Sequence, residues 1–272
     1  MGKTWFITGA SKGFGRQWAE AALDRGDQVA ATARDIRTLD PLVDTYGELV
    51  LPIQLDVTDR DGDRDAVAHA ASHFGRLDVV VNNAGYGHFG MVEELTEDDI
   101  RHQLETNLLG TLWVTQAALP IMRAQGSGHI IQVTSEGGVT AFPGIGAYHA
   151  SKWAVEGLSQ SLAEEVATLG IRVTLVEPGP YSTDWLAVGA MHSQKNPAYD
   201  SVREALSRPF GEVGDPSATR NAILAVVDAK EPPLRIFFGK TPLEDVTRDY
   251  ESRLATWNEW QPVSVQAFGH SG

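Results

Sequence analysis

The chain has 272 residues, 42% of them hydrophobic, enough for a full core in one large α/β unit. A formal net charge of -14 excludes the basic surface that nucleic acid or anionic membrane requires, but not a phosphate-bearing ligand held by local cations. There is no cysteine, hence no disulfide, thiolate metal site or thiol nucleophile, and no apolar run as long as a membrane span.

The first residues enter a strand at once, without the apolar core and cleavage site of a leader, so a cytoplasmic location is expected. Trp5-Phe6-Ile7 is that strand. Glycine-rich residues 8–15 follow, then a helix with inner face Trp18, Ala21, Ala22 and Leu23 and a stop at Gly26. Residues 29–33 form a second strand ending at Arg34-Asp35, 36–46 a polar helix, and 49–55 a third strand ending at Asp56-Val57. The next helix, 61–74, starts among Asp59, Asp61, Asp63 and Asp65. Acid suits the positive end of a helix dipole, so this reads as a solvated first turn and not a metal site.

Residues 77–81 form the fourth strand and run into Asn82-Asn83-Ala84-Gly85. Thr96 is the expected N-cap of a long helix that carries Asn107 and closes near Arg123. Residues 128–134 are the fifth strand, ending at Ser135. A helix over 146–169 follows, with Ala147, Ala150, Ala154, Val155, Leu158, Leu162 and Val166 at spacings of three and four. Residues 171–176 are the sixth strand, 183–214 an irregular segment with short helices, 216–229 a helix and 235–238 the last strand. Residues 241–257 read as helical, with a weakly patterned tail beyond. Strands alternating with helices imply a doubly wound, mainly parallel seven-stranded sheet covered on both faces.

The chemistry-bearing residues all fall just past strand ends, where open α/β sheets bind ligands. Tyr148 and Lys152 stand at i and i+4 on one helix face. A free tyrosine titrates near ~10, and a fixed ammonium beside it favours the phenolate, making the pair a general acid/base. Strand, Gly9-x-x-x-Gly13-x-Gly15, helix is a dinucleotide-loop arrangement: the glycines allow close backbone approach and the helix N-terminus offers unpaired N–H donors to a pyrophosphate. At the tip of the second strand stand Ala33 and Arg34 where many dinucleotide folds carry a ribose-binding acid, and Lys12 reaches the same place. Two cations suit a 2′-phosphate and so NADP(H) over NAD(H). Asp35 would weaken this if it turned inward.

Thr8 to Gly15, Asp56-Val57, Asn82-Asn83-Ala84-Gly85, Asn107, Ser135, Tyr148-x-x-x-Lys152 and Pro178-Gly179 occur in the order and spacing of the short-chain dehydrogenase/reductase family, which the chain resembles over about residues 1–240. The resemblance implies one NAD(P)-binding Rossmann domain over 1–272, with 183–214 as a substrate loop or lid and 241–272 as a C-terminal helix and tail. It implies that Tyr148 exchanges the proton with the substrate oxygen. Lys152 would lower the Tyr148 pKa and bind the nicotinamide ribose, Ser135 would polarise the carbonyl, and Asn107 would hold a water that completes a relay. Cofactor contacts would come from Gly9, Ser11, Lys12, Gly13, Phe14, Gly15 and Arg34 at the phosphates, and from Asp56, Val57, Asn83, Ala84 and Gly85 around the adenosine. Pro178, Gly179 and Thr183 would hold the nicotinamide.

The expected activity is NADP(H)-dependent interconversion of a secondary alcohol with a ketone, or of an aldehyde, on a hydrophobic small-molecule substrate that an apolar wall would allow to be bulky, in a homodimer or homotetramer by analogy with relatives. Epimerisation with a tightly held cofactor, and a non-catalytic NADP(H) sensor, are the competing readings. His149 points away from the catalytic pair, about 100° round the helix. Glu136 either tunes the substrate or faces solvent. Phe142, Trp185 and Met191 either line the substrate wall or pack in the core.

Overall fold

The computed structural model describes residues 2–183, 190–206 and 212–269. One sheet is formed by β1 (Thr4–Ile7), β2 (Gln28–Ala33), β3 (Val50–Gln54), β4 (Val79–Asn82), β5 (Gly128–Val133), β6 (Ile171–Pro178) and β7 (Arg235–Phe238). The strands lie in the order 3-2-1-4-5-6-7 and every neighbouring pair is parallel. This is the Rossmann-type sheet expected from the alternation of elements. Strand order reverses between β1 and β4, and that crevice is where the glycine loop emerges.

The helices are α1 (Gly13–Asp24), α2 (Asp40–Tyr46), α3 (Arg60–Phe74), α4 (Glu97–Leu104), α5 (Gly110–Gln125), α6 (Gly146–Val166), α7 (Asp200–Leu206), α8 (Thr219–Asp228) and α9 (Pro242–Ala267). Side chains of β1 alternate between two cores. Trp5 and Ile7 share one with Trp18 and Ala22 of α1 and Ile223 of α8. Phe6 shares the other with Val67 of α3, Val114 of α5 and Leu162 of α6. Two covered faces explain why these strands read as apolar runs and not as alternating patterns. The buried Trp18 indole donates from Nε1 to Thr219 Oγ1 at 2.8 Å, fastening α1 to α8.

Three features differ from the expected elements. The long helix carrying Asn107 is broken by a π-turn, Glu105–Leu109, between α4 and α5. Residues His88–Phe89 pair in parallel with Met191–His192, a ribbon outside the main sheet. Helix α9 runs on through Pro262 to Ala267, past the expected stop at Trp257, and its residues from Leu254 onward are exposed.

The acid cluster at α3 also needs correction. Asp59 caps the helix, its Oδ1 accepting from Gly62 N–H. Asp63 is not solvated: it is fully buried, neither carboxyl oxygen has a hydrogen-bond partner, and it lies among Ala66, Val67 and Ala70. Burial, with Asp59 and Asp56 nearby, pushes its pKa up to about 8. The unfolded value is near ~3.9, so the folded state retains a proton that the unfolded state releases, and stability falls as pH rises from about 4 to about 8. Asp63→Asn removes that loss. Its Tm is expected to exceed the wild type by an amount corresponding to about 2 kcal/mol near pH 8, and by much less at pH 4.5. A Tm gain that is equal at both pH values, or a loss at pH 8, would show that the carboxyl is not held neutral.

Candidate active site

The glycine loop is shaped by backbone constraints and by one neighbour. Gly9 and Gly13 have φ of 65° and 55°, conformations that strain any side chain. A Cβ on Gly15 would collide with the Gly9 carbonyl oxygen. Asn83 Nδ2 donates to the carbonyls of Thr8 at 2.9 Å and Gly9 at 3.0 Å, while Thr8 Oγ1 accepts from the backbone N–H of Asn83 and Ala84 at 2.9 Å. The Asn83 side chain therefore clamps the loop. At the start of α1 no side chain caps the helix and no acid stands in the first turn, so its N–H donors are open to an anion.

The remaining predicted cofactor residues surround this loop. Ser11 is half-buried in it and Lys12 is exposed. Phe14 stacks on Trp18, with ring centroids 5.4 Å apart, and meets Tyr181 edge-on, so its ring is packing material. Arg34 is exposed at the tip of β2. Asp35 is turned aside: it accepts from Arg37 Nε at 3.0 Å and Nη2 at 2.8 Å and from Arg37 N–H. Asp56 Oδ1 accepts from Thr58 N–H and Oγ1 at 3.1 and 2.9 Å, and Val57 is buried beneath Gly110. Thr183 lies against the other side of the loop, 3.8 Å from where a Gly13 Cβ would stand. Pro178 ends β6, and a Cβ on Gly179 would collide with Pro242 of α9 and stand 3.3 Å from Glu136 Oε2. The open N–H donors, the glycine cradle and the two cations fit a dinucleotide phosphate.

Past the carboxyl end of β5, Ser135, Tyr148 and Lys152 come together. Ser135 Oγ accepts from Gly137 N–H at 3.0 Å and hydrogen-bonds the Tyr148 hydroxyl. Lys152 Nζ lies 5.8 Å from the Tyr148 ring centroid and donates to the Val133 carbonyl at 2.8 Å. Gly85 is flanked by Asn107 Oδ1 and Lys152 Nζ, 3.1 and 3.7 Å from its would-be Cβ. Asn107 is fully buried in the π-turn, the kind of helix irregularity that re-aims a side chain. Its amide accepts from Tyr86 N–H at 3.1 Å and donates to Tyr86 O and Ser151 Oγ, both at 3.0 Å. The Asn107 side chain is thus committed to protein partners that the sequence reading did not name.

The electrostatics reverse one expectation. Burial pushes the Tyr148 phenol up to about 12, against the opposing hydrogen bond from Ser135 and with the Glu136 carboxylate adding to the rise. Burial also brings the Lys152 ammonium down to about 8, opposed by Glu156. The acidified phenol expected from a neighbouring ammonium is absent, because taking the phenolate out of water outweighs the attraction. Glu136 is half-buried: its Oε2 is shut off from solvent without a hydrogen-bond partner, and its pKa is raised to about 7 by burial and by Asp245.

His149 is structural, as expected. Its Nε2 accepts from Phe142 N–H at 2.9 Å, so the proton sits on Nδ1, which donates to Gly137 O at 2.7 Å. Phe142 and Met191 are exposed, so neither is core. Trp185 lies outside the described residues. Thr8, Tyr86 and Ser151 were missed. Thr8 opens the glycine loop and Ser151 lies between Tyr148 and Lys152, positions for which no polar task is expected, and Tyr86 contributes only backbone, for which sequence carries no signal.

Comparison with known proteins shows the family and the fold. A family model described as short chain dehydrogenase matches residues 3–192. Oxidoreductase BOA17 of Botryotinia fuckeliana is 44% identical, over 97% of this chain and 99% of its own. A 3-ketodihydrosphingosine reductase of Bacteroides thetaiotaomicron is 36% identical, over 96% of this chain and 94% of its own. The solved structure of a short-chain dehydrogenase from Streptomyces avermitilis superposes with a TM-score of 0.92 at 41% identity, covering 98% and 99% of the two chains. ElxO with NADP bound has a TM-score of 0.77 at 28% identity, covering 90% and 100%. A Burkholderia phymatum short chain dehydrogenase/reductase in complex with NAD has a TM-score of 0.81 at 25% identity, covering 94% and 95%.

Proposed function

This chain belongs to the short-chain dehydrogenase family of oxidoreductases, and from that membership we propose an NADP(H)-dependent enzyme interconverting a secondary alcohol and a ketone, or an aldehyde, with Tyr148 as general acid/base. The observation that carries the reading is the meeting of Ser135, Tyr148 and Lys152 beside the glycine loop at the carboxyl edge of the sheet. The reductase relative acting on a 3-keto compound supports a ketone substrate. A bound nicotinamide supplies or accepts the hydride.

The protein's own residues do the rest. Tyr148 gives its phenolic proton to the oxygen of a carbonyl being reduced, or takes it from an alcohol being oxidised. Ser135 donates a hydrogen bond to that same oxygen as negative charge develops on it. Lys152 holds positive charge beside the phenol and, from its place next to Gly85, faces the sugar side of the site. Asn107 acts by fixing Tyr86 and Ser151, and so the wall on which Lys152 rests. A phenol near 12 is a proton donor in wait: it gives up its proton only as the substrate oxygen becomes basic. The segment 183–214, of which 184–189 and 207–211 lie outside the described residues, is assigned to the substrate side in this reading.

Preference for NADP(H) rests on Lys12 and Arg34, with Asp35 occupied by Arg37. Lys12→Ala and Arg34→Ala should each weaken NADPH binding by about tenfold, the worth of one charge-assisted contact, and leave NADH within about twofold. Fluorescence titration with both cofactors, beside a panel of ketones, aldehydes and alcohols, tests the reading. Equal losses for the two cofactors would remove the phosphate assignment. Tight NADPH binding with no turnover across the panel would favour the sensor.

A further inference from the structure

Behind the catalytic face, two buried carboxyls stand where the mechanism has no use for them. Glu156 lies one turn after Lys152 on α6, on the same helix face, and is 5% exposed; Glu177, near the end of β6, is 1% exposed. Glu156 Oε1 accepts from Thr134 Oγ1 at 2.7 Å, and Thr134 immediately precedes Ser135. Glu156 Oε2 accepts from Arg235 Nε at 2.9 Å, and Glu177 Oε1 lies 3.5 Å from the same nitrogen. Arg235 is held in turn by Gln160, to which Nη2 donates at 2.9 Å. A Cβ on Gly138 would stand 3.4 Å from both Glu156 Oε1 and Lys152 Cβ, so the carboxylate and the stem of the lysine line one wall.

A single half-buried guanidinium faces two buried carboxyls here, and two carboxylates so placed do not both stay ionised. Burial and Glu156 push Glu177 up to about 8, and Glu156 itself is raised by burial and drawn back by Thr134 and Arg235. The ionisable groups around this cluster are Lys152 and Tyr148 on α6, Glu136 on the turn after β5, and Arg235 on β7, with Asp245 of α9 facing Glu136.

We propose that Glu177 and Glu156 share one proton, lodged on Glu177, and that the charge left on Glu156 is the internal counter-charge that keeps the Lys152 ammonium ionised. Glu156 is thereby a positioning residue that acts through Lys152. The inference rests on the reading of Lys152 as partner of Tyr148, and it adds a second layer that sets the pH range of that pair.

The test titrates Lys152 directly, by NMR of protein carrying ¹³C at the lysine Cε with the signal assigned from Lys152→Met, and in parallel follows kcat/KM against pH with NADPH. Glu156→Gln should move the Lys152 titration, and the alkaline fall in kcat/KM, down by about one pH unit. Glu177→Gln replaces a protonated acid by a neutral amide and should leave both in place. An unmoved Lys152 titration in Glu156→Gln overturns the inference, as does an equal shift in Glu177→Gln. Should Glu156→Gln not fold, the infrared difference spectrum between the wild type and Glu177→Gln decides: at neutral pH, over the bands that Asp63 and Glu136 give in both proteins, the variant must lack the intensity of one protonated carboxyl, and a difference spectrum with no such loss overturns the assignment. A failure of the parent reading looks different, because turnover would then survive Tyr148→Phe whatever the lysine does.

Discussion

Tyr148→Phe is expected to lower kcat/KM by about 1,000-fold, the scale of a lost general acid/base, with NADPH binding within about threefold of the wild type. The size of the loss follows from the neighbourhood. Both ring nitrogens of His149 are engaged, by Gly137 O and Phe142 N–H. Lys152 Nζ already donates to Val133 O. Ser135 Oγ accepts from Gly137 N–H at 3.0 Å and lies 3.5 Å from the Pro178 carbonyl, to which it donates. None of these replaces the phenol as proton carrier. Phenylalanine keeps the buried ring and gives up one hydrogen bond to Ser135, a cost of about 1 kcal/mol, so the variant should fold. Turnover and the NADPH titration are to be measured on the same preparation, with a thermal melt as control. Full turnover would take the proton donor away from Tyr148, and a collapsed melt would send the loss to folding instead.

The parts of this molecule that were legible in sequence are those written in local periodicity or in glycine. The apolar strands, the helix over 146–169 and the dinucleotide loop follow from spacing alone, because backbone geometry leaves few other ways to satisfy such patterns. Asp63 was misread for an instructive reason. A run of acids suggests solvent, yet Asp63 stands three, four and seven residues before Ala66, Val67 and Ala70, which is the buried face of α3. The periodicity contained the answer and the charge obscured it. The elevated phenol of Tyr148 was misread because sequence reveals a neighbouring charge but not the depth at which it acts. The π-turn at Asn107 and the pairing of His88–Phe89 with Met191–His192 depend on tertiary contacts and leave no local mark. The cluster of Glu156, Glu177 and Arg235 draws on three separate elements, so only the fold assembles it.

Lys152 gives the second large effect, and there activity and stability should part. The residue is 6% exposed and its pKa falls from 10.5 to about 8 through burial. For a base with a depressed folded pKa, the unfolded chain binds the extra proton, so stability rises with pH through the window from about 8 to 10.5, and the charged lysine costs stability at neutral pH. Lys152→Met should therefore raise Tm near pH 7, by an amount corresponding to on the order of 1–3 kcal/mol. The same change should cut kcat by about 100-fold or more, since the site loses the positive charge proposed to stand beside the phenol as it gives up its proton. In the wild type kcat/KM should fall as pH rises through about 8, where the free enzyme gives up that ammonium. Lys152→Arg stays charged throughout this range and should abolish the alkaline fall, at reduced activity because a planar fork does not fit a point-charge site. Melts and pH–rate profiles of the two variants separate the claims. A Lys152→Met protein that is less stable and equally active would place the lysine in the scaffold and outside the chemistry.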